Sequence, residues 1–172
     1  VHKTDIGGVL LNIKSVEEMQ SGFEQLIQID KAQGVLIQPM ITGTELFIGV
    51  KRESNFGHII LCGLGGIFVE VLNDFSSCLC PVSKTESTTM IQRLRAYKII
   101  QGTRGRGGVN EEIFSEIIQR ISTLVTAAPE IVEMDINPLM GSMAGIVAVV
   151  MGVRIVVAEV VTGHLKKIGM RR

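Results

Sequence analysis

The sequence predicts an α+β fold, with helices packed on a largely antiparallel sheet. Hydrophobic residues make up 46% of the 172 residues and aromatic residues only 4%, so the apolar content is mainly Ile, Val, Leu and Met. That mixture suits a sheet covered by helices better than a disordered or fibrous chain. Hairpin and helix patterns are mixed along the chain without strict β–α–β order, which favours antiparallel strands.

The beginning of the chain predicts a helix between two strands. Residues 9–13 and 35–40 are short apolar runs that read as strands. Between them, Ser15 with Glu18 forms a capping-box signature, which begins a helix. One face of this helix carries the apolar residues Val16, Met19, Phe23, Leu26 and Ile27.

A hairpin and two further strands follow. Residues 45–51 and 58–62 are apolar runs joined by turn residues at 54–57, which is the pattern of two paired strands. After a glycine cluster, the apolar runs 67–72 and 77–82 predict two more strands.

Two helices and three strands complete the predicted fold. Ser83 with Glu86 is another capping box, and Asn110 caps the longest helix, which ends before Pro129. The wide apolar face of that helix consists of Ile113, Phe114, Ile117, Ile118, Ile121, Leu124 and Val125. The remaining strands are predicted at 131–136, 145–151 and 154–161.

Charge and cysteine usage argue against several classes of protein. The formal net charge is zero, which gives no support to a nucleic-acid partner or an anionic membrane surface. The uncharged stretch 138–153 is stopped by Arg154 short of spanning length and contains three glycines, so it predicts buried strands rather than a membrane helix. Cys62, Cys78 and Cys80 form no Cys-x-x-Cys pair, which favours reduced thiols in a cytoplasmic protein over a zinc site.

The segment EMDINP at 133–138 is the first candidate site. On a strand, Glu133, Asp135 and Asn137 point to one face, while the apolar residues between them point to the other. Such a row of oxygens suits Mg²⁺, which takes one or two protein oxygens plus substrate phosphates. The same acidic alternation is also typical of a solvated strand face.

Two glycine-rich segments could bind phosphate. In CGLGGIFVE, Gly65 and Gly66 would let backbone amides approach phosphate oxygens, and Glu70 could reach a metal or a ribose. In GTRGRGG at 102–108, Arg104 could bind a phosphate with two hydrogen bonds. Each pattern alone also fits a plain turn or a flexible basic loop, and neither a Walker-A sequence nor a helix-opening GxGxxG is present.

His2, in the segment HKTDIGG, is a candidate phosphoryl acceptor. An unprotonated imidazole is competent for that role near neutral pH. A histidine close to the end of a chain is also commonly a solvated side chain. Taken alone, the residue leaves both interpretations open.

Together and in order, these segments resemble a known family, the β subunits or domains of ADP-forming acyl-CoA synthetases. The resemblance rests on HKTDIGGV, GVLIQPMITGTELFIGVKR, NFGHIILCGLGGIFVEVLND, the RGRGG loop and EMDINPL. Succinyl-CoA synthetase β subunits are similar at a greater distance. The resemblance is strongest over 1–140 and leaves 141–172 divergent. It implies an ATP-grasp fold, with nucleotide held between two α+β lobes, of which residues 1–172 are the carboxy-terminal part.

The resemblance also implies an activity and partners. The family interconverts acyl-CoA, ADP and phosphate with acid, CoA and ATP through an acyl phosphate and phosphohistidines. It implies ATP or ADP and Mg²⁺ as cofactors and a CoA-binding α subunit or domain as the partner. We also expect a homo-oligomer in isolation, because a lobe without its partner exposes apolar surface and the apolar strands at 145–161 offer an edge for pairing.

Residue by residue, the resemblance implies a complete site. His2 matches the histidine thought to relay the phosphoryl group to nucleotide. The implied nucleotide-binding residues are Gln38, Met40, Glu45, Gly65, Gly66, Glu70 and Arg104. The implied magnesium-binding residues are Asp135 and Asn137.

Three departures from the family pattern bear on activity. The chain starts after the strand on which relatives carry a phosphate-binding lysine. Where relatives read roughly AVDARI and place a second metal-binding Asp, residues 148–155 read AVVMGVRI. Cys78 stands where relatives usually carry Arg. We therefore expect the isolated chain to be inactive.

Two other interpretations remain open. The chain could be the synthetase-like regulatory domain of a protein lysine acetyltransferase, which an acetyltransferase domain elsewhere in the complete gene would decide. It could also be a non-catalytic nucleotide-sensing or assembly module, which the missing lysine and the missing second acid favour.

Overall fold

The chain divides into two units, residues 1–42 and 43–172. The structure, a computed structural model, describes residues 7–103, 105, 107–148 and 153–158. The two units are described in turn.

The described part of the first unit contains one helix, α1 (Val16–Ile27). The Ser15 hydroxyl accepts a hydrogen bond from the Glu18 N–H at 3.1 Å, as the sequence predicts. The Glu18 carboxylate accepts from the Lys14 N–H at 2.7 Å, so the predicted capping box closes on the residue before Ser15 rather than on Ser15 itself.

The strands predicted at 9–13 and 35–40 are wrong. Both segments are irregular, and no strand pairing among the described residues involves a residue before Thr44. A strand needs a neighbour for its backbone hydrogen bonds, so an apolar run alone does not form one. Leu10 instead packs on α1, where its Cδ1 lies 2.9 Å from the position that a Cβ on Gly22 would take.

The apolar face predicted for α1 is not buried. Val16, Met19 and Phe23 are all exposed, whereas Gly22 is the buried residue of the helix. Helical periodicity therefore predicts this element correctly but not its burial.

The second unit is built on one sheet. Its strands are β1 (Thr44–Glu53), β2 (Gly57–Leu64), β3 (Phe75–Leu79), β4 (Ile131–Gly141), β5 (Ile146–Ala148) and β6 (Val153–Val157). The order is β3-β2-β1-β4, and β5 and β6 lie along the far side of β4, β6 beside its first half and β5 beside its end. Every pairing of the described strands is antiparallel, which confirms the predicted α+β class. Residues 149–152 and 159–161 of the two predicted last strands lie outside the described residues.

The hairpin of β1 and β2 is present as predicted. Pairing runs from Glu53 opposite Gly57 at the turn to Leu46 opposite Leu64 at the open end. Gly57 has a φ of +82°, which a residue without a Cβ adopts easily at a tight turn. The hairpin delivers the end of β2, and the glycines after it, to the beginning of β1.

The described part of the second unit also contains four helices: α2 (Ile67–Glu70), α3 (Lys84–Gln92), α4 (Tyr97–Gln101) and α5 (Glu111–Ala127). The predicted capping box of α3 is complete, because Ser83 Oγ accepts from the Glu86 N–H and Glu86 Oε2 accepts from the Ser83 N–H. Asn110 caps α5 by accepting from the Ile113 N–H at 3.1 Å. In the described part of the chain, no helix combines the length and the apolar character needed to cross a membrane.

The strand predicted at 67–72 is wrong, because its first residues form the single turn α2. Gly66 has a φ of +58° and turns the chain out of the sheet after β2. Its carbonyl oxygen then accepts from the N–H groups of Val69 and Glu70, at 3.2 and 3.0 Å. A left-handed glycine before an apolar run thus converts a strand pattern into a helical turn.

The core lies between one face of the sheet and the helices α3 and α5. Its largest fully buried side chains include Leu46, Ile48, Ile60, Leu64, Ile91, Ile100, Phe114, Ile118 and Val125. Strand alternation directs Glu45, Gly49 and Lys51 to the opposite face of β1. We call this opposite side of the sheet the open face, and the candidate site lies on it.

Candidate functional site

Glu45 stands at the start of β1, beside the turn that follows β2. The Gly65 N–H donates to the carbonyl oxygen of Glu45 at 2.8 Å. A Cβ added to Gly65 would lie 3.2 Å from Glu45 Cβ, and a Cβ added to Gly66 would lie 3.0 Å from Glu45 Oε2. The Glu45 side chain therefore lies directly against the two glycines that the sequence predicts as phosphate-binding.

Asn137 reaches the same place from β4 through a bulge. β4 pairs Ile136 with Ile48 and Leu139 with Leu46, so Asn137 and Pro138 together stand opposite the single residue Phe47. Asn137 Oδ1 lies 3.4 Å from the position that a Cβ on Gly65 would take. Three segments distant in sequence therefore meet at Gly65: the start of β1, the glycine turn and the β4 bulge.

Glu133 and Asp135 lie earlier on β4, on the open face. Arg154 of β6 is in register with Asp135, and its guanidinium donates to the Glu133 carboxylate. Burial raises the pKa of Asp135 above its ordinary value; the positive charge of Arg154 opposes this shift and the negative charge of Glu133 adds to it. Met134 between them is buried, as predicted. Sequence reasoning does not identify Arg154 as a site residue, although it stands on the predicted strand 154–161.

Glu70 lies outside the sheet. It ends α2 with an exposed side chain, and no three His, Cys, Asp or Glu side chains of the described residues lie close enough to hold a metal ion. Glu70, Glu133 and Asp135 therefore do not form a three-carboxylate metal site. A role of Glu70 in nucleotide binding stays a prediction.

The other predicted site residues are not tested by this geometry. Gln38 and Met40 lie in an irregular segment of the first unit, with Gln38 half-buried and Met40 exposed. His2 and Arg104 lie outside the described residues.

The donors on the open face fit Mg²⁺ better than a soft metal. Asp135 and Asn137 offer a carboxylate and an amide oxygen, the ligand type that Mg²⁺ prefers. A cation beside Asp135 would offset the unfavourable burial that raises the pKa of this carboxyl. Because the described side chains provide few ligands, such an ion would depend on substrate phosphates and water to complete its coordination.

Comparisons with known proteins agree with this architecture. The ATP-grasp domain family matches residues 1–157. The chain is 37% identical over 165 residues to the β subunit of acetate–CoA ligase (ADP-forming) II of Pyrococcus furiosus, covering 91% of this chain and 70% of that protein. It is 40% identical over 166 residues to acetate–CoA ligase (ADP-forming) II of Archaeoglobus fulgidus, covering 92% of this chain but 23% of that protein.

A solved structure supports the same assignment. It is the dinucleotide-forming acetyl-coenzyme A synthetase 1 of Ca. Korarchaeum cryptofilum in complex with coenzyme A and Mg-AMPPCP, with its phosphohistidine segment pointing towards the nucleotide-binding site. The match has a TM-score of 0.76 and 34% identity, and it covers 91% of this chain and 71% of that one. The chain therefore belongs to the ATP-grasp domain family and is similar within it to the β subunits and domains of ADP-forming acetyl-CoA synthetases.

Proposed function

We propose that the chain is the nucleotide-binding ATP-grasp part of an ADP-forming acyl-CoA synthetase. The enzyme would interconvert acyl-CoA, ADP and phosphate with acid, CoA and ATP. The observation that carries the proposal is the meeting of Glu45, the Gly65–Gly66 turn and Asn137 on the open face. A CoA-binding α subunit or domain would be the partner, since the Pyrococcus relative is named as a β subunit.

The glycine turn would receive the nucleotide phosphates. Gly66 holds a left-handed φ and has no side chain, so a phosphate can approach its backbone closely. Glu45 would contact the nucleotide from the neighbouring strand, and the family resemblance implies nucleotide-binding roles for Gln38 and Met40 as well. Arg104 would add a positive charge against a phosphate, and Glu70 would reach the ribose or a metal.

Asp135 and Asn137 would hold Mg²⁺ together with the phosphates. When bound, the ion would supply positive charge against the phosphate oxygens. The carboxylate of Asp135 would contribute negative charge to its site, and the amide oxygen of Asn137 would contribute a ligand next to the glycine turn. This division of roles follows from their places at the middle and at the bulge of β4.

His2 would carry the phosphoryl group between the partner and the nucleotide. In the direction of ATP formation, the P–N bond to the imidazole breaks as a terminal oxygen of ADP forms its bond to phosphorus. The other ring nitrogen carries a proton during this step, so the imidazole leaves neutral with the lone pair restored on the released nitrogen. An imidazole that is unprotonated near neutral pH can accept the group again for the next cycle.

The test is calorimetric titration of the chain with ADP, with and without Mg²⁺. Wild-type chain is expected to bind Mg·ADP weakly and to turn nothing over, because residues 148–155 do not carry the second metal-binding Asp that the family pattern places there. Asn137→Ala should weaken Mg·ADP binding by about tenfold or more, the loss of one charge-assisted contact. It should leave binding of Mg²⁺-free ADP unchanged.

The matched control is Asn55→Ala, an exposed asparagine in the β1–β2 turn. This variant should bind Mg·ADP as wild type does. Absence of any Mg·ADP binding by the wild-type chain at millimolar nucleotide would refute the proposed function. Equal binding by Asn137→Ala and wild type would refute the role of Asn137.

A further inference from the structure

Asp74 is a buried acidic residue whose two side-chain oxygens are both occupied. It is only 5% exposed, and its Oδ1 and Oδ2 accept the N–H groups of Arg95 and Ala96, each at 2.9 Å. Burying a carboxylate is unfavourable unless its oxygens receive hydrogen bonds, so both contacts are needed to keep the side chain in place.

The side chain of Asp74 anchors the residues that lead into α4. Ala96, the N-cap residue of α4, makes no side-chain capping bond of its own. Asp74 accepts from the N–H groups of Ala96 and of the preceding Arg95, from 22 and 21 residues earlier in the chain. The start of α4 is therefore fixed by a residue outside that helix.

The backbone of Asp74 holds the glycine segment. Its N–H donates to the carbonyl oxygen of Phe68 in α2 at 3.0 Å. Its own carbonyl oxygen packs on Gly63, at 2.6 Å from the position that a Cβ there would take. Gly63 is two residues before Gly65, where Glu45 and Asn137 meet. One residue therefore joins the β2 end of the candidate site to α4.

The order of the chain extends this link. α4 ends at Gln101, and the glycine- and arginine-rich segment 102–108 follows immediately. The Val109 N–H donates to the carbonyl oxygen of Ile100 at 2.7 Å. α4 is thus held by Asp74 just before its first residue and by Val109 near its last.

We propose that Asp74 is a positioning residue of the nucleotide site. It holds the glycine turn on one side and the beginning of α4 on the other, so that the turn at Gly65 and α4 keep a fixed separation. The part of this inference that concerns nucleotide rests on the proposed function. The structural link that Asp74 makes between the glycine turn and α4 does not depend on the proposed function.

The principal variant is Asp74→Asn, which keeps the size of the side chain but turns one acceptor into a donor facing an N–H. Hydrogen–deuterium exchange should show faster exchange at 95–101 and also at 63–70. The Kd for Mg·ADP should rise about tenfold, which corresponds to about 1.4 kcal/mol. Ser83→Ala is the matched control, because it removes the cap of α3 through a side chain that makes no contact with the glycine segment. In Ser83→Ala, exchange at 63–70 and the Kd for Mg·ADP should both stay at wild-type values.

Ala96→Pro tests the same link from the other side if Asp74→Asn does not fold. Proline has no N–H and therefore removes one of the two donors, and the φ of −89° at Ala96 lies near the range of proline. Exchange at 63–70 should again accelerate.

Two results would overturn the inference. One is faster exchange confined to 95–101 in both variants, which would make Asp74 an anchor of α4 only. The other is an unchanged Kd in a variant whose exchange at 63–70 has increased. If wild-type chain binds no Mg·ADP, the proposed function fails, and exchange at 63–70 alone decides whether Asp74 links the two segments.

Discussion

Substituting Gly66 by alanine tests the site more sharply than removing a side chain. Gly66 has a φ of +58°, in the left-handed region that costs an alanine about 1–2 kcal/mol. The new Cβ would lie 3.0 Å from Glu45 Oε2, closer than an ordinary contact. Because Glu45 is exposed, its carboxylate can move away cheaply, so the contact displaces Glu45 without adding much to the loss of stability.

Gly57→Ala supplies the matched control. Gly57 has a φ of +82°, but a Cβ there would meet nothing within 4 Å. Both variants should therefore lower the free energy of unfolding by about 1–2 kcal/mol. In a chain of this size, that lowers Tm by roughly 2–8 °C. Only Gly66→Ala should also weaken Mg·ADP binding.

Thermal unfolding followed by circular dichroism gives the change in Tm, and calorimetric titration gives the Kd for Mg·ADP. If Gly57→Ala weakens Mg·ADP binding as much as Gly66→Ala does, the weaker binding results from the lower stability of the fold and not from a change at the site. If Gly66→Ala binds Mg·ADP as wild type does, the contact between Gly66 and Glu45 has no role in binding.

Three further predictions follow from burial and exposure. Since burial raises the pKa of Asp135 above its usual 3.8, the folded chain binds this proton more tightly than the unfolded chain, and stability falls as pH rises from 3.8 through the folded pKa. Asp135→Asn should accordingly raise Tm near neutral pH, with the gain shrinking as the pH falls through the folded pKa towards 3.8; a lower Tm at neutral pH would contradict the sign. Burial raises the pKa of the Cys62 thiol to about 12, so iodoacetamide should label Cys62 only after unfolding, as mass spectrometry of the native and denatured chain would show. Ile155 and Val157 expose apolar surface on β6, and we predict a homodimer or larger species in sedimentation equilibrium at micromolar concentration; a monomer mass would refute this.

The elements that the sequence predicts correctly are those specified locally. The β1–β2 hairpin follows from apolar runs joined by the turn residues at 54–57, and α3 and α5 follow from the caps Ser83 and Asn110. Each of these signals lies within a few residues of the element that it defines. Their partners are neighbours in sequence, so no distant contact can override them.

The wrong predictions concern elements that depend on distant partners. The apolar runs at 9–13 and 35–40 have the composition of strands, but the described residues provide no strand beside them. The run beginning at Ile67 becomes a helical turn because Gly66 takes a left-handed φ. Composition does not reveal either condition.

The candidate site was predictable in its residue types but not in its arrangement. Glu45, Gly65 and Asn137 were all identified from the sequence, and the structure brings them together. Their meeting depends on a register shift between β1 and β4, which no periodicity predicts. Asp74 was missed for the same reason, since it bonds to N–H groups 21 and 22 residues away.

The bulge in β4 makes the fold and the function separable. Ile136 and Leu139 pair with Ile48 and Leu46, so β4 uses three residue steps where β1 uses two. A chain shortened by one residue at Pro138 could keep both pairings in a regular ladder and so retain its core. Asn137 lies at the glycine turn because β4 contains one extra residue at this point. The shortened chain would lack the bulge and can therefore serve as a reference for stability. Its difference in stability from wild type measures what the site costs the fold.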